Sequence, residues 1–375
     1  MDERRYDIDW LRVIAVLLLF VYHPARIFYA WGGWYIESYQ KSTAIAVIIA
    51  FIEHWHMPLL FLLAGASSYF ALGRRKTGTY LVERLKRLVV PLLFGVVIIV
   101  PPHVYLGVIF KGVEGTLGYV RFYPDFFTGR YTDGFDMGHL WFIAYLFGFS
   151  ALMLPLFLFF RGQNGQKIIG GLEKFFRIPG AIFVPFVLVA LAAYTMLSFY
   201  PNPIYFLSYF IIGYVLTASE GARKAIDQHK FIALIIGVGL RAIWITLVLT
   251  EIIDIAWLQP IPRDFMGWSM IIAFLGYGRK YLNSFDAKKI SGRFLTYFAE
   301  ASYPLYILHQ TIVVAIAYWV VTWRTPLFLE FVVIVLGSFA TTLIIYDLLV
   351  KRTSVTRFLF GMRPKKKLTA SSRSN

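Results

Sequence analysis

The sequence predicts an all-α, polytopic integral membrane protein of about ten transmembrane helices, with both termini on the cytoplasmic side. Three observations predict it. Of 375 residues, 58% are hydrophobic and only 15% charged, against about 45–50% and about 25% in soluble domains. The apolar residues gather in runs near the roughly 20-residue length that crosses a bilayer as a helix. Lysine and arginine crowd into alternate loops between those runs, as the positive-inside rule requires.

The first run, Ile8–Phe28, follows Arg4 and Arg5 and contains a stretch, Val13–Tyr22, of signal-peptide length. No small-residue cleavage site follows it, His23-Pro24-Ala25-Arg26 is unsuited to cleavage, and Asp9 and Arg12 abut the apolar stretch. The run is therefore expected to stay as a helix. The second and third runs, Ala44–Ser67 and Leu88–Phe110, flank a basic loop. The segment Lys111–Gly138 follows, with Asp125, Asp133 and Asp136 among Phe122, Tyr123, Phe126, Phe127 and Tyr131. It is too aromatic for a linker and is expected to fold back as a cap or re-entrant element. The fourth and fifth runs are Leu140–Phe160 and Ala181–Phe199, and the short sixth, Ile204–Ala218, starts after the Pro201-Asn202-Pro203 turn. Phe231–Ile253, Phe265–Leu282, Leu295–Val320 and Leu327–Val350 complete the set. Residues 1–350 thus read as one membrane domain and 351–375 as a basic, disordered, cytoplasmic and lipid-facing tail.

Charge supports the alternation. One set of loops and termini holds Arg4 and Arg5, the Arg74–Arg87 cluster, Arg161 to Arg177, Arg223 to Lys230, Arg279 to Arg293, and the tail from Lys351. The other holds Arg26, Lys41, Lys111, Arg121, Arg130, Arg263 and Arg324, a ratio of four to one. The net charge of +16 is thereby topological and lipid-directed, and it argues for no nucleic-acid partner. With no cysteine, thiolate chemistry and disulfides are excluded. No H-x-x-x-H or clustered carboxylate pair points to a metal site.

Ionisable groups inside a bilayer are costly and mark function. Arg12 and His23 are eleven residues apart, about three helical turns plus roughly 20°, so they share a face and lie about 16 Å apart along the axis. Between them every residue from Val13 to Tyr22 is apolar or aromatic. One face thus offers a cation at the cytoplasmic mouth and an imidazole far inside, which suits a long ligand with an anionic head and a reactive far end. The bland readings are snorkelling of Arg12 with Asp9 one turn away, and a structural histidine. Glu53, His54, His56, Arg241 and His309 are the other groups within runs, with His103, His139, Glu300 and Asp347 near run ends. His54 and His56, at i,i+2, point to different sides of a helix.

Asp9-Trp10-Leu11-Arg12 followed by His23 resembles the opening motif of the acyltransferase-3 family of membrane acyltransferases. The segment His56-Met57-Pro58 to Gly65 resembles that family's second-span motif, with Ala64 where Ser is usual, and Arg84-Leu85-Lys86-Arg87 with Pro91 resembles its basic lead-in to the third span. His139-Leu140-Trp141-Phe142 and Ser302 to His309 resemble two later segments, so the likeness covers essentially the whole chain. Within the family the branch of periplasmic glucan succinyltransferases is most similar.

The resemblance implies an O-acyltransferase of a bacterial-type inner membrane. It would move an acetyl or succinyl group from cytoplasmic acyl-CoA, a co-substrate and not a tightly bound cofactor, to a hydroxyl of an envelope glycan or glycolipid. It implies His23 as general base, the role an imidazole's pKa suits. Arg12, Arg84 and Arg87 would hold the phosphates of CoA. Asp9, Glu53, His54, His56 and His309 are candidates to orient these groups. Arg26 is the nearest cation for a succinyl carboxylate. Trp31 and Trp34, with Tyr29, Tyr35 and Tyr39, could stack on sugars or form an interfacial belt. A transporter or flippase of an envelope precursor is the competing class; the absence of an internal repeat, the Arg12–His23 spacing and the basic lead-in favour the enzyme.

Overall fold

The computed structural model describes residues 5–113, 115, 118–132, 134–195, 201–250, 260–283 and 289–364. Arg4, Asp133, Lys288, the expected run ends at Phe199 and Ile253, and the tail from Lys365 lie outside the described residues. Fourteen helical segments account for the architecture: α1 Tyr6–Ile27, α2 Thr43–Arg74, α3 Thr77–Phe110, α4 Tyr119–Phe126, α5 Gly138–Leu152, α6 Leu154–Arg161 and α7 Gln163–Phe176. There follow α8 Ala181–Ala193, α9 Pro203–Ala218, α10 Glu220–Leu249, α11 Pro260–Leu282, α12 Ile290–Trp323, α13 Leu327–Val350 and α14 Ser354–Leu359. Among the described residues there is no strand, only an isolated bridge between Tyr29 and Ser42.

Among the described residues six helices, α1, α2, α3, α10, α12 and α13, are long and apolar enough to cross a membrane. The pair α5 and α6, bent by 46° where Met153 meets Leu154-Pro155, makes a seventh if taken as one span. The other three expected spans fall on α8 and α9, which are shorter, and on α11, which carries Arg263 and Asp264 near its start and Arg279 and Lys280 near its end. The protein is thus all-helical and multi-pass. Its outer surface agrees: Leu93, Leu188, Leu191, Phe231, Ile243, Leu336 and Leu349 are exposed, as a lipid-facing belt requires.

Local signals set the ends of several helices. Ser42 and Ser219 accept bonds from the Ile45 and Ala222 N–H groups at the starts of α2 and α10. Asn202 does the same for Ile204 and Tyr205, with Pro203 as first residue of α9. Small residues bring helices together: a Cβ on Gly65 would sit 1.9 Å from the Phe210 carbonyl oxygen, and one on Gly213 2.0 Å from that of Leu62. Those glycines therefore permit the close α2–α9 crossing, the usual device where lipid cannot drive helices together. Pro24, Pro58 and Pro304 lie inside α1, α2 and α12, and each removes a helical N–H donor.

The aromatic segment after α3 folds back as expected. In α4, Phe122 and Phe126 are buried, and the nearby Tyr123 hydroxyl donates to the Val97 carbonyl at 2.9 Å. The chain beyond Val350 was expected as a disordered tail, but residues 351–364 hold a turn and α14. Phe360 and Met362 are buried in the main core, and Arg357 pairs with Glu300 at 2.7 Å. Two apolar side chains in a basic stretch gave this segment something to bury.

Candidate functional site

The unbroken helix α1 carries one group of polar side chains at each end. At its start, Arg12 meets Asp9 at 3.6 Å and donates to the Ser67 hydroxyl at 2.7 Å. Ser67 bonds back to the Leu63 carbonyl, and Ser68 to that of Ala64. A hydroxyl that donates in this way keeps both of its lone pairs as acceptors. Ser68 uses them to accept from Arg84 at 3.0 Å and from the Tyr80 hydroxyl at 3.1 Å. Adjacent serines on α2 therefore hold Arg12 and Arg84, whose charges are close enough to repel. The guanidinium of Arg84 also lies over the Tyr80 ring, 5.1 Å from its centre.

Arg87, three residues on from Arg84, would share its face in a regular α-helix. A π-helical turn, Leu85–Val89, intervenes, and its wider repeat changes the i,i+3 geometry. Arg87 instead donates to the Gly361 carbonyl at 3.1 Å, while remaining within electrostatic range of Arg84.

At the other end, His23 is enclosed by rings. It stacks on Trp34 at 5.4 Å, meets Tyr22 edge-on at 5.3 Å, and lies 5.0 Å from the His309 ring. His309 continues to His139 at 4.8 Å, and His139 to His103 at 6.2 Å. The His23 Nδ1 and His309 Nε2 atoms are buried without a hydrogen-bond partner, whereas His309 Nδ1 lies 2.6 Å from the Tyr306 carbonyl. Buried ring nitrogens without partners are uncommon, and here three, with His139 Nδ1, belong to neighbouring imidazoles. Behind them, His103 contacts Thr311 at 3.0 Å and Gln310 at 3.3 Å. The loop after α4 closes this side: Asp136 accepts from the Tyr35 hydroxyl at 2.5 Å and from the Gly138 N–H at 2.6 Å. Gly138 has φ +53°, and a Cβ there would lie 2.9 Å from the His103 ring.

His23 opens on a cavity of about 1000 Å³, the size of a small-molecule site. Trp34, Tyr35, Trp141 and Phe206 give it aromatic walls; Glu53, His54, Asn202, Arg263 and Gln310 give it polar ones. Of the residues expected at the site, His23, Trp34, Glu53, His54 and His56 line this cavity. His309 lies one ring behind it. Arg12, Asp9, Arg84 and Arg87 gather at the far end of α1. Arg26 does not line the cavity: it donates to the Gly33 carbonyl at 3.1 Å and covers the Tyr29 ring. Trp31 is exposed and packs edge-on against Tyr29.

His54 and His56 diverge, as their spacing requires. His56 Nε2 bonds the Ala15 carbonyl at 2.7 Å, stapling α2 to the middle of α1. His54 Nδ1 turns to the Ala50 carbonyl at 3.1 Å, which also accepts from Arg241; this is the partner that the sequence did not name. Tyr35, one of the aromatics expected to stack on sugars, also lines the cavity; sequence reasoning missed Asp136, Arg263 and Gln310 as cavity residues. It named His139 among the ionisable groups near run ends, and it marked the segment holding Tyr306 without weighing that side chain. Among the described residues no three His, Asp or Glu side chains converge as metal ligands.

A family profile described as an acyltransferase domain matches residues 5–348. The chain is 21% identical to the glucans biosynthesis protein C of Escherichia coli strain SMS-3-5 / SECEC, covering 96% of this chain and 95% of that protein. The proteins of the same name from Escherichia coli O139:H28 and from strain K12 match to the same extent. No solved structure matches the chain.

Proposed function

The chain belongs to the acyltransferase-3 family, and from that premise we propose that it transfers an acetyl or succinyl group from cytoplasmic acyl-CoA to a hydroxyl of an extracytoplasmic glycan. The membrane would be a bacterial-type inner membrane. The observation that carries this reading is the pairing of two unlike ends on one helix. Arg12 sits in an arginine cluster and His23 on an aromatic cavity, about 16 Å apart at 1.5 Å rise per residue. A pantetheine arm anchored by its phosphates at the first end has a matching length, so its thioester reaches the second while the nucleotide stays behind.

In this reading Arg12, Arg84 and Arg87 bind the phosphates, with Asp9 and the two serines fixing the first two guanidinium groups. The acceptor sugar lies in the cavity, where Trp34 and neighbouring rings offer stacking surfaces. His23 takes the proton of the acceptor hydroxyl as its oxygen bonds to the thioester carbonyl carbon. The C–S bond then breaks, and the CoA thiolate takes the proton from the imidazolium. His309 is the orienting group: a small rotation would join the unpartnered His23 Nδ1 to its own unpartnered Nε2. Glu53 lies on the cavity wall and is suited to an acceptor hydroxyl. His56 is committed to the Ala15 carbonyl of α1, which supports a role in holding α2 against its neighbour, while His54 is committed to the Ala50 carbonyl within α2. The name of the matched relatives refers to glucans, which supports a glucan acceptor.

The test is thiol release from acetyl-CoA and succinyl-CoA by reconstituted protein, with and without envelope glucan. A chain without cysteine adds no thiol background. Glucan-stimulated release that His23→Ala removes is the expected result and identifies the donor. No release with either donor, together with no CoA binding, would overturn the reading in favour of transport.

A further inference from the structure

The arginine end of α1 is closed by a part of the chain that neither the sequence motifs nor the reading above uses. After α13 the chain turns through α14 and returns across α3 and α12. Gly361 sits at the contact. Its φ is +64°, and a Cβ there would lie 2.7 Å from the Arg87 carbonyl oxygen and 2.7 Å from the Tyr303 ring. Only a glycine lets the segment lie this close. Its carbonyl takes the Nε–H of Arg87, which leaves that guanidinium's terminal nitrogens for another acceptor. Phe360, one residue earlier, packs edge-on against Phe94 of α3 at 5.3 Å.

Two residues on, Arg363 is exposed and near enough to repel Arg87. Arg357 holds the Arg363 carbonyl at 2.7 Å while pairing with Glu300, so the backbone at Arg363 is fixed. Arg84 lies within electrostatic range of both Arg12 and Arg87, and Arg87 within range of Arg75 and Arg363, so these cations run in one connected row. Two carboxylates offset part of this charge: Asp9, paired with Arg12, and Glu83, paired with Arg75 and within electrostatic range of Arg87. The Tyr303 hydroxyl, within range of Arg84 and Arg87, is buried with no partner. Cations held together against their repulsion, with an unsatisfied hydroxyl between, are relieved by a multiply charged anion.

We propose that the segment Ser354–Arg363 is a wall of the donor's phosphate site, in which Arg363 is a further phosphate-binding cation and Gly361 is the positioning residue that aims Arg87. This rests on the acyl-CoA reading above and adds to it a C-terminal clasp. The same phosphate chemistry is offered by an anionic lipid headgroup, so the experiment must separate the two sources.

The full-length protein is placed in nanodiscs of neutral lipid and titrated with CoA, for wild type, Arg84→Ala, Arg363→Ala, Arg363→Lys and Gly361→Ala. Loss of one charge-assisted contact corresponds to roughly tenfold weaker binding, and that is the expected effect of Arg363→Ala. Arg363→Lys should recover part of it. Gly361→Ala should weaken CoA by several-fold, and both effects should fall on the donor's KM and not on the acceptor's. Because Arg363 is exposed, its variants fold even if Gly361→Ala does not. CoA binding by Arg363→Ala equal to wild type, alongside loss in Arg84→Ala, would sink the clasp and leave the acyl-CoA reading standing. No CoA binding by wild type would overturn both. If Arg363→Ala changes only the retention of anionic lipid in discs that contain it, the segment is a lipid anchor and the proposal fails.

Discussion

The two ends of α1 are built on opposite principles. At the Arg12 end the side chains are cations held mainly by neutral groups, two serine hydroxyls, a tyrosine ring and the Gly361 carbonyl, with the Asp9 carboxylate beside Arg12. Their positions are fixed while much of their charge is left uncompensated. At the His23 end the groups around the imidazole are rings, and His56, His139 and His309 are each tied to a main-chain carbonyl, with the second ring nitrogen of His139 and of His309 left without a partner. Position there comes from packing, and the polar groups stand apart along a cavity wall. The difference teaches how one helix can serve two parts of a long ligand. On the proposed function the first end would select by charge and tolerate shape, and the second would select by shape and place a single base.

That contrast breaks most sharply under paired substitution. His23→Ala should cut turnover by about 10²–10⁴-fold, the range a positioned general base contributes, while CoA binding persists. Arg12→Ala should do the reverse, raising the donor's KM roughly tenfold or more for the loss of a charge-assisted phosphate contact. Steady-state kinetics with separate donor and acceptor titrations, beside direct CoA binding, distinguishes the two. If both variants lost binding and turnover together, the ends would not be separate sites.

A smaller effect is expected one ring away. His309→Phe keeps an aromatic ring beside Phe20 and His139 but removes the nitrogen that could orient His23. Turnover should fall by roughly tenfold, the value of one lost hydrogen bond to a charged group, with the donor's KM unmoved. His309→Gln, which can still bond, should restore part of it. A merely structural role predicts no rescue by Gln and a loss of thermal stability in both variants.

These two ends were not equally legible in the sequence. The eleven-residue spacing fixed Arg12 and His23 on one face, because helical periodicity is a local property. The apolar runs likewise announced the long helices, and α13 falls where its run does. What could not be read is what depends on contacts distant in sequence. Ser67 and Ser68 look like ordinary helix residues until Arg12 and Arg84 reach them from other helices. His103, His139 and His309 are separated by 36 and 170 positions, and only the packing of α3, α5 and α12 brings them into one row. The 46° break at Leu154-Pro155 and the π-helical turn at Leu85–Val89 divided or shifted runs that looked continuous. The folded segment after Val350 was hidden by its basic composition, since Phe360 and Met362 are too few to announce burial.

The smallest expected effect sharpens the comparison at the His23 end, where a charge intrudes on a site otherwise defined by shape. A succinyl donor carries a carboxylate that must be met close to His23. Arg26 is the nearest cation in sequence, but its guanidinium is bonded to Gly33 and sits over Tyr29. Arg263 lines the cavity itself, held against the buried Asp264 at 3.0 Å. Asp264 offsets its charge, so the attraction for a second carboxylate is modest. Arg263→Gln should therefore lower the succinyl-to-acetyl transfer ratio by a few-fold, about 1 kcal/mol for a partly compensated ion pair, and Arg26→Gln should lower it less. Competition between the two donors in one reaction measures the ratio directly and cancels any general loss of activity. A drop confined to Arg26→Gln would mean that Arg26 leaves Gly33 when substrate is bound. A ratio unmoved by either variant would mean that shape alone selects the acyl group, and the two ends of α1 would then be more unlike than the cavity's lining suggests.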